Sequence, residues 1–302
     1  MKETGYAHPG YAASLSEFGD PRHLCHCGGW ALERSIQGTS LRDAMGCYPL
    51  FTCSDWSMVH KDFEEMREDL VAFSCVLDPF GDFDLTYVER CFDICIPYKD
   101  HYVLDLMMDP ETYVSGRHRK RARQALRRVS VEVCADPALY VDEWTHLYGF
   151  LVERHSIRGI GAFSRESFAR QLQLPGAVLL LVRHEGATVG GNLFFQHNDV
   201  AYGHLSAFST LGYEVGAPYA VKWAAIEYFT NRTRWIDLGG VPGVKGNEES
   251  GLAFFKGGWS SGTRMAYFCG AILNPAVYEE LSVARYSGEG SYFPKYRQGE
   301  FR

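Results

Sequence analysis

Three strand-like segments follow one another between residues 178 and 208, and they constrain the fold more than any other feature of the sequence. The segments span residues 178–182, 188–196 and 200–208, with Glu185-Gly186 and Asn198-Asp199 between them. Such pairs favour tight hairpin turns, because both positions tolerate the left-handed backbone that these turns require. The sequence therefore predicts an antiparallel meander of three strands.

A helix is predicted directly after the meander, beginning at Gly216-Ala217-Pro218, because proline is favoured in the first turn of a helix. Strands are predicted after it at 234–238 and at about 265–271. Two helices precede the meander, one from Asp136 to about His155 and one from Ser164 to residue 174. The apolar residues of the helix after the meander recur at helical spacing, at Val221, Ala224, Ala225, Tyr228 and Phe229.

A chain of 302 residues with 46% hydrophobic residues is large enough for two cores. The first 114 residues are predicted to form a lobe of mixed helices and strands. Strands are predicted at 29–34, 47–51, 71–77 and 102–106, and a short helix at 87–91. Asp55 is the expected cap of another helix. That helix carries an apolar stripe of Trp56, Val59, Phe63, Met66 and Leu70.

A basic segment separates the lobes, with seven Lys or Arg residues and no acidic residue between 117 and 129. As a helix it would bury Ala122, Ala125, Leu126 and Val129. Two interpretations of its polar side are open, a solvated face paired with acids elsewhere or a phosphate-binding surface. The cations expected along that side are Lys120, Arg123 and Arg127.

Composition excludes several classes of protein. A net charge of −7 argues against a surface that is basic throughout, so any nucleic-acid contact must be local. The chain has no run of eighteen apolar residues and no signal-peptide core at its beginning, so we expect a cytoplasmic protein without membrane insertion. The nine cysteines follow no disulfide spacing. No metal is expected, because the crowded segment His23, Cys25, His26 and Cys27 lacks a second ligand pair downstream.

The order of elements in the second lobe is similar to that of the GNAT fold of N-acyltransferases. Three motifs sharpen this likeness: Gly216-Ala217-Pro218-Tyr219 with Trp223, the segment 235–241 (WIDLGGV), and the segment 251–259 (GLAFFKGGW). Together they resemble the Fem-type aminoacyltransferases over residues 115–272. The resemblance implies an α/β (α+β) fold of two GNAT-like lobes, at 1–114 and 115–302, each a mixed, mostly antiparallel sheet flanked by helices.

The Fem-type resemblance also implies an activity. Fem-type enzymes transfer an aminoacyl group from aminoacyl-tRNA to an amine, in most members on a cell-wall precursor. The acceptor stays open here, because the first lobe has no motif that matches the family and no room exists for the helical hairpin that some members insert. A peptide natural product or another small amine, free or carried on a protein, is an equal alternative.

Lys256 is the first candidate catalytic residue, because the resemblance gives the lysine of the Phe-Lys motif a role in stabilising charge. Asp237 lies in an apolar strand, where a buried carboxylate needs partners. It is either a base or an anchor that accepts hydrogen bonds from the following Gly239-Gly240 turn. The turn itself allows backbone to approach a ligand closely.

Further candidates surround the predicted helix of residues 216–229. Tyr213 is expected before the start of this helix and within reach of the donor. The residues expected to bind substrate are Gly216, Trp223, Gly239, Gly240, Phe255 and His204.

The start of the helix predicted at residues 216–229 indicates which donor supplies the acyl group. Enzymes that use CoA bind its pyrophosphate there through successive backbone N–H groups. Pro218 has no N–H, and Glu214 adds negative charge, so the sequence favours aminoacyl-tRNA over acyl-CoA and predicts no bound cofactor. Two alternatives stay open, an acyl-CoA N-acyltransferase and a non-catalytic module that binds RNA or a protein.

Overall fold

A computed structural model describes residues 3–241, 251–285 and 292–300. The strands in chain order are β1 (Asp20–Leu24), β2 (Gly29–Ser35), β3 (Arg42–Gly46), β4 (Leu70–Val76), β5 (Ile94–Asp105), β6 (Ser130–Val133), β7 (Ala177–His184), β8 (Ala187–His197), β9 (Val200–Phe208), β10 (Trp235–Asp237) and β11 (Gly262–Ile272). The α-helices are α1 (Pro9–Ser14), α2 (Val59–Met66), α3 (Leu85–Cys91), α4 (Pro110–Tyr113), α5 (Gly116–Ala125), α6 (Val141–His155), α7 (Arg165–Gln171), α8 (Thr210–Val215), α9 (Ala217–Phe229), α10 (Gly251–Gly257) and α11 (Pro275–Arg285). Short 3-10 helices lie at Gly5–Ala7, Trp56–Met58, Pro137–Tyr140, Gly159–Gly161 and Lys295–Arg297.

The chain forms two compact units. The meander unit comprises Met1–His8, Lys99–Ile157 and Ala162–Met265, and the hairpin unit comprises Pro9–Tyr98, Arg158–Gly161 and Ala266–Arg302. These units differ from the lobes predicted at 1–114 and 115–302. The reason is the pairing of β11 with β4, which places the end of the chain in the same unit as residues 9–98.

The sheet of the meander unit has the order β5-β10-β9-β8-β7-β6. Its neighbouring strands are antiparallel except β9 and β10, which are parallel. The predicted meander is confirmed. Its first hairpin turns at Glu185 and Gly186, whose φ angles are 49° and 82°, as a tight turn between twisted strands requires.

Helix α9 covers this sheet and packs against α5, β7 and β8. Val221, Ala225 and Phe229 are buried in its core together with Ala122 and Ala125 of α5. The predicted stripe of the basic helix is confirmed for Ala122 and Ala125, whereas Leu126 and Val129 follow the end of α5; Val129 is still buried, and Leu126 is 39% exposed.

The hairpin unit has the strand order β1-β2-β3-β4-β11, with β3 and β4 parallel and the other pairs antiparallel. Phe63 of α2 packs on Phe73 of β4 in its core. Each unit thus contains a mixed, mostly antiparallel sheet with helices, and the predicted fold class is confirmed.

Two local predictions for the first lobe were wrong in detail. The strand predicted at 47–51 is replaced by β3, and within that segment only Phe51 forms a bridge, to Leu77. Pro49 interrupts the segment because it has no N–H for a strand ladder. The helix capped by Asp55 ends at Met66, and Leu70 instead begins β4.

Among the described helices, none combines the length and the apolar character that crossing a bilayer requires. All nine cysteines lie in the described part of the chain and all are free thiols.

Candidate active site

A cleft of about 960 Å³ opens in the meander unit where β9 and β10 separate. The two strands pair only from Val200 to Tyr202, and the following residues of β9 line the cleft. Gly203 stands at the point of separation, where a Cβ atom would lie 2.9 Å from the carbonyl oxygen of Asp237. A side chain there would push the strands apart, so glycine fixes the place where the cleft begins.

Lys256 of α10 lines this cleft and fixes the loop that follows β10. Its Nζ donates to the carbonyl oxygens of Gly239 at 3.2 Å and Gly240 at 2.6 Å. Burial lowers the pKa of Lys256 to about 8, and the charge of Lys99 lowers it further while that of Asp237 opposes the shift. Because an ammonium has three N–H donors, one stays available for a bound ligand.

Asp237 is buried and fully engaged by its neighbours. Its Oδ1 accepts from the backbone N–H of Gly239 at 2.7 Å, and its Oδ2 lies 2.8 Å from Nδ1 of His101. The carboxylate is not among the groups that line the cleft. The hydrogen bond expected from the glycine turn is therefore present, and a role for Asp237 as a base stays a prediction.

Lys222 is a second lysine of the cleft, and the sequence analysis did not select it. Its side chain is buried, with Nζ 5.4 Å from the centroid of the Phe194 ring. When the Asn192 amide is oriented with its oxygen toward the lysine, Nζ donates to that oxygen at 2.6 Å. Burial lowers the pKa of Lys222 to about 7, with a smaller contribution from the charge of Lys256.

Three arginines at the cleft lie over aromatic rings. The guanidinium of Arg117 is 5.4 Å from the ring of Phe254, and that of Arg154 is 4.3 Å from the ring of Tyr213. Arg121 lies over Tyr219 at 5.2 Å and donates to its hydroxyl at 2.7 Å. Such stacking orients a guanidinium while its N–H groups stay directed outward. No carboxylate is found among the described residues that line the cleft.

His204 lines the cleft as a neutral residue. It lies 3.1 Å from the Tyr6 hydroxyl and 3.3 Å from Oε1 of Gln171. Burial lowers its pKa to about 3, so it carries no charge near neutral pH.

The structure brings four of the predicted residues to the cleft, namely Lys256, Tyr213, Phe255 and His204. Gly239 and Gly240 adjoin it through their bonds to Lys256. Other candidates lie elsewhere.

Gly216 separates α8 from α9 with a φ of 83°, and its Cα faces Ala125, so its role is in packing. Trp223 packs on the core and donates to Glu227 at 2.6 Å. Lys120 and Arg123 of α5, and Arg127 after its end, are exposed and do not line the cleft. The basic residues of α5 that do line it are Arg117 and Arg121, which sequence reasoning did not distinguish from their neighbours.

A group of possible metal ligands lies in the hairpin unit, formed by His26, Asp62 and Glu65. Both carboxylate oxygens of Asp62 accept backbone N–H groups, from His26 at 3.0 Å and Cys27 at 2.8 Å. His26 pairs with Glu65 at 2.8 Å. These contacts satisfy the three side chains within the protein.

No family model matches the chain, and no curated protein matches it. Solved structures do. FemX matches with a TM-score of 0.66 and 14% identity over 90% of this chain and 93% of its own. The C-terminal domain of a putative lysylphosphatidylglycerol synthetase from Agrobacterium fabrum matches with a TM-score of 0.65 and 14% identity, over 92% of this chain and 90% of its own. The L-PGS of Bacillus licheniformis matches with a TM-score of 0.58 and 14% identity, over 92% of this chain and 95% of its own.

These likenesses confirm the predicted fold, which is that of Fem-like acyltransferases of the GNAT type. At 14% identity they establish the fold alone.

Proposed function

We propose that this protein is an aminoacyltransferase that moves an aminoacyl group from aminoacyl-tRNA to an amine and forms an amide. The observation that carries the proposal is the charge of the cleft. Its described lining contains five Lys or Arg side chains and no carboxylate, although the whole chain has a net charge of −7. The basic residues are Arg117, Arg121, Arg154, Lys222 and Lys256.

A local positive site in an acidic protein favours a ligand that carries several phosphates, because each phosphate contact releases counterions. The 3′ end of a tRNA and CoA both meet this requirement. Helix α9 begins after Gly216 with Ala217 and Pro218, and Pro218 lines the cleft without an N–H to donate. The missing N–H favours a tRNA ester over CoA as the donor, and the name of lysylphosphatidylglycerol synthetase agrees with an aminoacyl group as the group transferred.

Amide formation needs an uncharged amine and a stabilised oxyanion. When the amine attacks the ester carbonyl, negative charge develops on the carbonyl oxygen. Lys256 would donate its remaining N–H to this oxygen while its other two donors keep it on Gly239 and Gly240. The apolar walls of the cleft, including Phe255 and Leu205, lower the local dielectric and strengthen this interaction.

The acceptor is proposed only as a class, an amine on a peptide, on a small molecule or on a cell-wall precursor. These possibilities come from the Fem-type resemblance of the sequence.

The decisive experiment compares two donors. Purified protein is titrated with a mixed pool of aminoacyl-tRNA and, separately, with acetyl-CoA, each at two salt concentrations. We expect aminoacyl-tRNA to bind with an affinity that falls as salt rises, and acetyl-CoA to bind weakly. Tight binding of acetyl-CoA without binding of tRNA would replace the proposal by an acyl-CoA N-acyltransferase.

The basic segment 117–129 gives a matched pair of variants, one inside the cleft and one outside it. Replacing Arg117 and Arg121 by Gln removes cations from the cleft, and replacing Arg123 and Arg127 by Gln removes two from the exposed face. We expect the first variant to reduce the slope of log affinity against log salt by about 0.7–0.9 for each phosphate that it no longer neutralises. The second variant tests whether the exposed face also binds tRNA. A wild-type slope in the first variant would contradict a phosphate-binding role for the cleft.

A further inference from the structure

Helix α9 is apolar on almost all sides, and Lys222 is an exception. Between Ala217 and Phe229 the charged residues are Lys222 and Glu227. Lys222 is 9% exposed and sits inside the cleft on neutral partners, the Asn192 amide and the Phe194 ring. Burying a charged lysine costs free energy unless it is paired with an opposite charge or loses its proton.

The charged groups that share the cleft with Lys222 are all positive. They are Arg117 and Arg121 on α5, Arg154 on α6 and Lys256 on α10. The other titratable side chains of the lining are His155, His204, Tyr213 and Tyr219. Among the described residues no acid lines the cleft to hold Lys222 as a cation, so burial and like charges both favour its neutral amine.

We propose that Lys222 is the general base of the transfer, taking a proton from the ammonium of the acceptor so that its nitrogen can attack. This inference rests on the proposed function, and it names the group that activates the acceptor. Lys222 and Lys256 then have opposite tasks. Lys222 must be neutral to accept a proton, and Lys256 must be charged to stabilise the oxyanion.

The transfer has two stages, attack by the acceptor nitrogen and collapse of the intermediate. The acceptor ammonium gives one proton to the neutral Nζ of Lys222, and the freed lone pair forms a C–N bond to the acyl carbon. The carbonyl pair moves to oxygen beside the Lys256 ammonium. On collapse the C–O bond to the leaving ribose breaks, and the second proton on nitrogen passes to that ribose oxygen. Lys222 returns its proton to solvent.

The two pKa values agree with this division. With a pKa of about 7, a large part of Lys222 is neutral near pH 7.5, and with a pKa of about 8 most of Lys256 is still charged. The rate is expected to rise with pH as Lys222 loses its proton and to fall as Lys256 loses its own. Asp237 is a weaker candidate, since its oxygens bond Gly239 and His101 outside the cleft lining.

The test compares wild type with Lys222→Met and Lys222→Arg, using the aminoacyl-tRNA pool as donor and glycylglycine as the amine probe. Removing a general base is expected to lower kcat/KM by about 10²–10⁴-fold. The ratio of wild-type to Lys222→Met rates cancels the titration of the probe, and it should rise tenfold per pH unit below about pH 7. Arginine keeps the charge but cannot lose its proton, so Lys222→Arg should be as slow as Lys222→Met.

A second measurement needs no substrate. Fluorodinitrobenzene reacts with neutral amines, and mass spectrometry gives the labelled fraction of each lysine as pH rises. We expect Lys222 to react half-maximally near pH 7 and free Nα-acetyl-lysine, added as an internal standard, only above pH 9. Thermal melting establishes that each variant is folded.

The outcomes separate the two proposals. Transfer by wild type together with a near-normal rate in Lys222→Arg, or half-maximal labelling above pH 9, overturns the role of Lys222 alone. No transfer from aminoacyl-tRNA, with labelling near pH 7, overturns the proposed function, and the inference then falls with it.

Discussion

Replacing Lys256 by methionine is expected to lower kcat by about 10²–10³-fold, the usual cost of removing one donor to an oxyanion. The donor dissociation constant should change little, because the contact strengthens only when charge develops on the carbonyl oxygen. Steady-state kinetics with the aminoacyl-tRNA pool, together with equilibrium binding, measure the two quantities separately.

Two further variants control for the other task of Lys256, which is to hold the carbonyls of Gly239 and Gly240. Lys256→Arg keeps a cation with several donors, so it should lose less activity than Lys256→Met. Lys61→Met removes an exposed lysine of the hairpin unit and should leave the rate unchanged. A loss confined to donor affinity would refute the role in the transition state.

The parts of the fold that the sequence predicts well are those with strong local periodicity. The meander and α9 are examples, because their apolar residues both define the element and form its buried side. Helix α8 was not predicted, since it has six residues and its buried residues are Gly212 and Val215. Tyr213 therefore lies inside a helix, where it was expected to precede one.

The candidate site was predicted only in part, for a physical reason. Periodicity identifies which side of α5 is buried, but it cannot say which basic residues of the remaining surface meet a cleft. That depends on Tyr219 of α9 and Phe254 of α10, which lie under Arg121 and Arg117. Such long-range neighbours leave no trace in the spacing of residues along one helix.

Lys222 did leave a signal in the sequence. A helix that is apolar on nearly all sides is a buried helix, and a lysine within it must lie against the core or a cavity. The regular apolar stripe from Val221 to Phe229 obscured the burial of Lys222, because one charged residue beside such a stripe is usually solvated.

The hairpin unit offers the second large effect, a loss of stability when Asp43 is replaced by alanine. Asp43 is fully buried between β2 and the segment 292–300. Its Oδ1 accepts from Arg297 at 2.8 Å, and its Oδ2 accepts from Arg297 at 2.5 Å and from the Tyr296 hydroxyl at 3.0 Å. Arg34 lies 3.4 Å from Oδ1.

The pKa values of the partners reflect this buried charge. Burial and the carboxylate of Asp43 raise the pKa of Tyr296. Burial opposes the charge of Arg297, but the hydrogen bond and charge of Asp43 outweigh it and raise the pKa of that guanidinium. Asp43 therefore pairs with the buried Arg297 and with the partly buried Arg34.

Asp43→Ala is expected to lower the free energy of unfolding by about 3–5 kcal/mol, because the buried Arg297 then keeps, among the described residues, only the partly exposed Glu300 as a counterion and Arg34 loses its ion pair. Urea unfolding followed by tryptophan fluorescence measures the change. Asp20→Ala is the matched control, since it breaks an exposed ion pair with Arg42 on the same sheet and should cost less than about 1 kcal/mol. Asp43→Ala combined with Arg297→Met should cost less than the sum of the single changes, because the two residues share one interaction. Equal losses in the Asp43 and Asp20 variants would mean that solvent already screens the Asp43 network.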